Sequence, residues 1–402
     1  MNYSPIPVTM LQLGKPLPVD VWDSSGKLLL RKGQPVLSEQ HRQMLHDHQA
    51  CMTESDALAW QKSYERMIRA MLREGVAIDV IANASMPSVI TETDYVVGLE
   101  MQGGWLDLQE VLRGLLYQGE SAISPLQRLG GIEKKALELL AADPDECLFI
   151  LFQALADASL GYCATHALLS AVVCELTAQK LSVSEAERGS LLRAALTMNI
   201  GMAREQDSLS RQPSTLNDAQ RKLIAEHPQK SLEILQHIGV TDEDQLDIVR
   251  WHHDPNEAIG LARNIQSRRI LRVADGFVAK MAARKTRLAM SPFGAVKAIF
   301  LGAVEPSAAP GAAMATAVGF YPPGTYVQLA NGEKAVTVAR GLRAHCPLVV
   351  SIISPAGMPL TKYACHDTTD PRYAIRAPVN AGDIKVRINP DKVTKARQDG
   401  TA

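Results

Sequence analysis

Between residues 145 and 320, apolar residues recur with helical spacing, and this pattern constrains the fold more than any other feature of the chain. In AADPDE (141–146) Asp and Pro stand where a helix begins, and in 181–196 a serine precedes acidic residues and an apolar run. The pattern predicts a mainly α fold, a bundle of successive helices over 147–179, 184–199, 216–226, 229–238, 242–253, 264–284 and 291–302.

Both ends of the chain change to the shorter period of β-strands. Near the start, VDVWD (19–23), a Ser-Ser-Gly turn and KLLL (27–30) predict a strand, a turn and a second strand. Near the end, YVQLANGEKAVTVA (326–339) places Asn-Gly between two strand-like runs, which is a strong hairpin signal, and 347–360 continues as strand, turn and strand. The sequence therefore predicts a small β-containing appendage at each end of the helical bundle.

These changes of period divide the chain into regions. The glycine pairs at 103–104 and 130–131 predict breaks within the second region. The basic end of the chain is predicted to be solvated and frayed. The predicted regions are a small N-terminal α/β region (1–55), a helical linker region (56–140), the helical domain (141–320), a C-terminal β appendage (321–390) and a flexible tail (391–402).

Charge and cysteine usage exclude several classes of partner. The 42 basic and 43 acidic residues give a net charge of -1, which predicts no binding to DNA, RNA or an anionic membrane. The six cysteines are scattered without a C-x-x-C pair, which predicts reduced thiols. The start has no signal-peptide layout, and the apolar run at 147–152 is too short to cross a bilayer. We expect a cytoplasmic protein.

Four histidines and one aspartate stand out because the helices around them are apolar. His166 lies in GYCATHALLSAVV, His227 precedes a proline in AEHPQ, His252 and His253 are adjacent in RWHHDP, and Asp275 lies in LRVADGFVA. A polar ring buried among Ala, Leu and Val costs several kcal/mol unless it is paired. Imidazoles that converge with a carboxylate can be paired by a shared metal ion, and such donors suit Mn, Fe or Zn. Hydrogen bonding in the core is the alternative for each residue taken singly.

The order of these motifs resembles an HD-GYP domain, the bacterial branch of the HD metal-dependent phosphohydrolases. The resemblance runs from about residue 145 to 340, through the helix of His166, AALTMNIGM (194–202), the HP of AEHPQKSLEIL, WHHD and RILRVADGFVAKMAARKTR. It implies an HD-type helical bundle that hydrolyses cyclic di-GMP with two or three Fe or Mn ions. The segment LGKPLPVDVWDSSGKLLLRKG also resembles a stretch often found ahead of such domains.

The resemblance also implies roles for individual residues. His166 and Asp275 would belong to one metal site, and His227, His252 and His253 to a second. Basic residues later in the motif would hold the phosphates of the ligand, which suits the fork geometry of guanidinium; these are Arg284 and Arg287.

The sequence departs from the family pattern at its defining His-Asp dyad. Alignment of AALTMNIGM places Met198 at the histidine and Asn199 at the aspartate, and Met202 replaces the usual lysine. The GYP motif is also absent, since PNEAIGLARN stands in its place. A neutral amide bridges two cations poorly, and a thioether is a soft ligand for Fe or Mn. We therefore expect at most one divalent metal ion (Fe, Mn or Zn), held by the three histidines, and not a full di- or trinuclear centre.

Three hypotheses for the function follow. The first is a degenerate, weakly active or inactive phosphodiesterase that acts in cyclic di-GMP signalling as a regulatory module and binds a nucleotide or a protein partner. The second is an active cyclic di-GMP phosphodiesterase or related phosphohydrolase with an altered metal site. The third is a helical scaffold in which the histidines are hydrogen-bonded core residues. The broken dyad favours the first hypothesis, whereas the retained histidines and Asp275 favour the second.

Overall fold

The computed structural model of the chain describes residues 3–7, 10–23, 27–73, 76–77, 80–81, 84, 90, 104–157, 160–283, 289–302, 308–386 and 388–401. The predicted fold class is confirmed: the protein is mainly helical, with a small sheet region near each end. The chain divides into two compact units, Met1–Gly103 with Glu110–Ile132, and Gly104–Gln109 with Glu133–Ala402.

The first unit contains a four-stranded antiparallel sheet in the order β1-β4-β2-β3. The predicted strand, turn and strand correspond to β2 and β3, which pair with each other. Its core joins the sheet to two helices through apolar side chains such as Val21, Leu45 and Trp60. These strands and helices are β1 (Tyr3–Pro5), β2 (Val21–Trp22), β3 (Leu28–Leu30), β4 (Cys51–Thr53), α1 (Glu39–Asp47) and α2 (Glu54–Arg73).

Two further helices, α3 (Trp105–Gln118) and α4 (Pro125–Ala142), lie partly in each unit. The predicted break at the glycine pair 130–131 is wrong, because α4 runs through it without interruption. The flanking Leu129 and Ile132 are buried, and their packing outweighs the low helix propensity of glycine.

The second unit contains the helical bundle that the sequence predicts. Ser184 forms a capping box with Glu187, so the helix predicted at 184–199 begins where its sequence signal lies. No helix in the described part of the chain is both long and apolar enough to cross a bilayer. The bundle helices are α5 (Pro144–Ala156), α6 (Cys163–Lys180), α7 (Glu185–Thr197), α8 (Ala203–Arg211), α9 (Asp218–His237), α10 (Glu243–Trp251), α11 (Ile265–Met281), α12 (Pro292–Gly302) and α13 (Ala308–Val318).

Two predicted helix boundaries are wrong. The single helix predicted over 147–179 is two helices, α5 and α6, and Gly161 between them has a φ of 87° that only glycine adopts easily. Conversely, the helices predicted over 216–226 and 229–238 are one helix, α9, which continues through Pro228.

The C-terminal sheet is antiparallel, with the strand order β8-β7-β6-β5-β9. Both predicted hairpins are confirmed, one formed by β5 and β6 and the other by β7 and β8. The sheet is tied to α5 by hydrogen bonds from Gln153 to Gly324 and from Tyr326 to Gln153. The strands are β5 (Tyr326–Leu329), β6 (Lys334–Ala339), β7 (Leu348–Ile353), β8 (Pro359–Asp367) and β9 (Ile375–Val379).

The prediction of a flexible tail over 391–402 is wrong for its described residues. They form a helix, α14 (Pro390–Thr401), which buries Val393 and Ala396 against the C-terminal sheet. Arg397 also forms an ion pair with Asp143, the N-cap residue of α5, at 2.9 Å. The spacing of three residues between the two apolar side chains places them on one helix face, and burial of that face orders the segment.

Replacing Val393 by alanine should lower the free energy of unfolding by about 1–3 kcal/mol, because two buried methyl groups are lost and a cavity remains. The neighbouring Lys395 is exposed, so Lys395→Ala is the matched control and should change stability little. Urea unfolding followed by circular dichroism measures both. Equal midpoints for the two variants would show that α14 contributes nothing to stability.

Candidate metal centre

Helix α6 carries His166 into the centre of the bundle. Residues 163 to 178 are all buried, as expected for a helix that is apolar all round. The side chain of Tyr162, the N-cap residue of α6, makes no capping hydrogen bond. Instead, Asp207 of α8 accepts hydrogen bonds from the backbone N–H groups of Tyr162 and Cys163, at 2.7 and 2.6 Å. Asp207 thereby fixes the start of α6 and, one turn later, the position of His166.

His166 and Asp275 form a hydrogen-bonded pair, the His166–Asp275 pair. Nε2 of His166 lies 2.8 Å from a carboxylate oxygen of Asp275, and the Tyr162 hydroxyl lies 3.0 Å from Nδ1. Burial raises the pKa of Asp275, but the hydrogen bond and charge of His166 outweigh it and hold that pKa below its ordinary value. The ionised carboxylate accepts a hydrogen bond from Nε2–H, and Nδ1 is within hydrogen-bond distance of the Tyr162 hydroxyl. Both ring nitrogens therefore have protein partners.

Pro228 sets the orientation of the His227 ring. Proline has no N–H, so the carbonyl of Ile224, four residues earlier in α9, lacks its helical donor. Nδ1 of His227 lies 2.6 Å from that carbonyl oxygen. A carbonyl can only accept, so Nδ1 carries the hydrogen, and Nε2 points away from the helix with its lone pair.

The end of α10 orients His252 in the same way. Val249 is in the last turn of α10, where carbonyls have no helical donor. Nδ1 of His252 lies 2.7 Å from the Val249 carbonyl oxygen and donates to it. His252 is fully buried, whereas the next residue, His253, is exposed and contacts Arg272.

His227, His252 and His253 form a compact group, the three-histidine cluster, whose candidate ligand atoms all lie within 4.8 Å of one another. Burial lowers the pKa of His227 to about 4 and holds the pKa of His252 well below its ordinary value of 6.5. Although His253 is exposed at its surface, desolvation of its ring by the neighbouring side chains also lowers its pKa. At neutral pH the rings are therefore uncharged, which is the form that binds metal.

The two buried rings of the cluster face each other through bare nitrogens. Their Nδ1 atoms carry the hydrogens, so both Nε2 atoms present lone pairs, and these atoms lie 3.3 Å apart. Two lone pairs at this distance repel unless a cation lies between them. Two imidazole nitrogens on a tetrahedral zinc ion, each at about 2.0–2.1 Å from the metal, are separated by about 3.3 Å. The donor set therefore fits one transition-metal ion.

The two residues that the sequence aligns with the His-Asp dyad lie inside the bundle. Met198 and Asn199 are buried at the end of α7, and the Ser231 hydroxyl of α9 donates to the Met198 carbonyl at 2.7 Å. The N–H of Gly201 donates to the same hydroxyl at 3.0 Å. A Cβ at Gly201 would lie 2.9 Å from the His227 carbonyl oxygen, so glycine lets this segment approach α9. These hydrogen bonds and the close approach to α9 hold the backbone of this segment in place.

The structure places the predicted site residues in two groups, the His166–Asp275 pair and the three-histidine cluster. The predicted phosphate ligands Arg284 and Arg287 lie outside the described residues. Sequence reasoning missed Arg272 as a contact of His253, although its position three residues before Asp275 places both on one face of α11. It also missed the cap formed by Asp207, for which no local signal exists.

Comparison with known proteins relates the helical bundle to one family. Residues 151–304 match the family described as HD domain. The chain is 29% identical over 151 residues to the 3'3'-cGAMP-specific phosphodiesterase 3 of Vibrio cholerae serotype O1, a match that covers 36% of this chain and 33% of that protein. The chain thus spans about a third of the length of this curated relative.

Among solved structures, the chain is similar to Bd1817, an HDG"Y"P protein from Bdellovibrio bacteriovorus, with a TM-score of 0.41 and 14% sequence identity. This similarity covers 78% of the present chain and 98% of the Bdellovibrio chain.

The metal-free protein should lose stability as the pH falls from about 6.5 towards 4. The folded chain holds His227 neutral down to a pKa of about 4, whereas the unfolded chain takes up a proton near 6.5. Protonation therefore favours unfolding in this window, by about 2 kcal/mol from His227 alone between pH 6.5 and 5. Urea midpoints measured with chelator should show the loss, and a smaller one in His227→Asn. A urea midpoint that stays constant between pH 6.5 and 4 would disprove this loss of stability.

Replacing Pro228 by alanine should separate helix stability from metal binding. The new N–H competes with His227 for the Ile224 carbonyl, so α9 should be at least as stable while metal affinity falls about tenfold. The control is Pro213→Ala, in an exposed loop, which should leave metal affinity unchanged. Zinc titration calorimetry and urea unfolding on the same samples test this. An unchanged affinity in Pro228→Ala would rule out the role given to the proline.

Proposed function

Because the chain is an HD-superfamily protein of the HD-GYP type, we propose that it is a regulatory module that binds one divalent metal ion and a cyclic dinucleotide with little or no hydrolysis. HD domains are metal-dependent, and the three-histidine cluster supplies a candidate site. A metal ion held by His227, His252 and His253 would supply Lewis acidity towards a phosphate oxygen of the ligand. As the scattered cysteines suggest, we place this activity in the cytoplasm.

The contrast between the two groups of site residues carries the proposal. In the three-histidine cluster, two bare nitrogens lie 3.3 Å apart and need a cation. In the His166–Asp275 pair, each ring nitrogen already has a partner, and Tyr162 and Asp275 leave His166 no unsatisfied donor or acceptor. This contrast supports occupancy of one site rather than two.

The buried dyad positions support weak or absent hydrolysis. Asn199 offers one neutral carbonyl oxygen, and its NH₂ group repels cations, so it cannot replace a carboxylate that bridges two metals. Met198 offers only a soft thioether. Without the bridge, the chain's own residues can bind and orient a phosphodiester but cannot hold a second metal beside the first.

The ligand class rests on family resemblance and on the curated relative. The sequence resembles proteins that hydrolyse cyclic di-GMP, and the relative from Vibrio cholerae is a 3'3'-cGAMP-specific phosphodiesterase. Both ligands are cyclic dinucleotides with two phosphodiester groups, so we propose this class and leave the bases open. A signalling protein that responds to the bound state completes the proposed role.

Metal analysis and ligand assays on one preparation test the function. The protein purified without chelator should hold about one metal ion per chain and bind cyclic di-GMP or 3'3'-cGAMP saturably without turnover. His252→Ala should lose the metal. The double variant Met198→His with Asn199→Asp should hold about two metal ions and gain hydrolysis. The control Met198→Leu with Asn199→Ser keeps similar volumes without new ligands and should match the natural protein.

Turnover separates this proposal from an active phosphodiesterase. Efficient hydrolysis of either dinucleotide by the natural protein, with added Mn, Fe or Zn and abolished in His252→Ala, would favour the second hypothesis. Saturable binding without metal, unaffected by His252→Ala, would favour a scaffold in which the histidines are core residues.

A further inference from the structure

Arg272 contacts the exposed member of the three-histidine cluster. Its Nη1 atom lies 2.6 Å from the carbonyl oxygen and 3.2 Å from Nδ1 of His253. A guanidinium stays protonated in proteins and has no acceptor, so it can only donate. Nδ1 of His253 therefore accepts the hydrogen bond, and the neutral ring carries its hydrogen on Nε2.

This tautomer is the opposite of the one found in the two buried rings. His227 and His252 hold their hydrogens on Nδ1 and present bare Nε2 atoms. In His253, the Nδ1 lone pair is occupied by Arg272, and Nε2 has no lone pair to offer. Neither nitrogen of His253 can bind a metal while the contact with Arg272 persists.

The charge of Arg272 adds to this block. A metal ion bound by the cluster would be a divalent cation close to the guanidinium, and like charges repel. A phosphate placed between the metal ion and the guanidinium would attract both. Guanidinium binds phosphate through two parallel hydrogen bonds, so an anionic ligand offers Arg272 a better partner than the ring of His253.

We propose that Arg272 is a positioning residue that keeps His253 out of the metal site until the phosphate of a bound ligand draws the guanidinium away. The inference rests on the metal site of the proposed function. It makes metal binding and phosphodiester binding mutually reinforcing, because each removes the contact that hinders the other. In the absence of ligand, His227 and His252 hold the metal as a pair. With ligand bound, His253 becomes the third ligand.

A cobalt titration followed by absorption spectroscopy tests the coupling. Dimethyl phosphate, a minimal phosphodiester, is compared with chloride at equal ionic strength. In the natural protein dimethyl phosphate should tighten Co²⁺ binding about tenfold and change the ligand-field spectrum. In Arg272→Met, Co²⁺ should bind about tenfold more tightly in chloride, and the effect of dimethyl phosphate should vanish.

The chain offers a matched control on the same helix. Arg269 donates to the Asn256 side chain at 3.0 and 2.8 Å. Arg269→Met makes the same substitution, with the same loss of charge, away from the cluster. Its Co²⁺ affinity should match that of the natural protein in both solutions.

Histidine ¹⁵N chemical shifts of the metal-free protein provide a second readout that a loss of charge alone would not change. His227 and His252 should carry their hydrogens on Nδ1, and His253 on Nε2. In Arg272→Met, only His253 should lose its single tautomer. An Nδ1–H tautomer for His253 in the natural protein would overturn the inference.

The outcomes distinguish this inference from the proposed function. If His252→Ala abolishes Co²⁺ binding and Arg272→Met leaves both affinity and the dimethyl phosphate effect unchanged, only the role of Arg272 is wrong. If Co²⁺ binding survives His252→Ala, or no variant binds Co²⁺, the metal site itself is wrong and the inference fails with it.

Discussion

Hydrogen bonds to two backbone carbonyls, those of Ile224 and Val249, determine what the three-histidine cluster can do. Each carbonyl takes the hydrogen of one imidazole and so fixes which nitrogen faces the partner ring. If either ring carried its hydrogen on Nε2, the two rings would form an ordinary N–H···N hydrogen bond and need no cation. The fold supplies the two free carbonyls by different means, a proline inside one helix and the end of another.

The two groups of site residues differ in how their hydrogen bonding is completed. In the His166–Asp275 pair a tyrosine and a carboxylate satisfy the ring entirely within the protein. In the three-histidine cluster, the Nδ1 atoms of the two buried rings donate to backbone carbonyls, whereas their Nε2 atoms face each other. The hydrogen bonds of the His166 ring are therefore complete without any side chain from Met198 or Asn199.

The sequence predicted the features that depend on local physics. Periodicity and caps predicted the bundle, and Asn-Gly predicted a hairpin, since each signal lies within a few residues. The helix limits near Gly161 and Pro228 were missed. The sign of φ at Gly161 and the hydrogen-bond partner of the Ile224 carbonyl both depend on packing. The C-terminal helix was also missed, although the spacing of Val393 and Ala396 is a local signal that the basic residues around it obscured.

For the site, the sequence predicted which residues come together in the fold but not their geometry. Motif order singled out the histidines and Asp275, and their roles as ligands stay a prediction. Ring orientation and the contact of Arg272 with His253 depend on distances between separate helices, which no spacing rule supplies. The roles of Arg284 and Arg287 remain predictions, because these residues lie outside the described part of the chain.

The cap that Asp207 provides for α6 has a consequence for the order of folding. The capping carboxylate lies 44 residues beyond Cys163 along the chain, and a cap of this kind contributes about 1 kcal/mol. The first turn of α6 thus gains its partner only after α7 and α8 have docked, once the entropy of closing that loop has been overcome. We expect His166 to reach its final position late, so that the interior polar pair assembles only when the surrounding bundle is already in place.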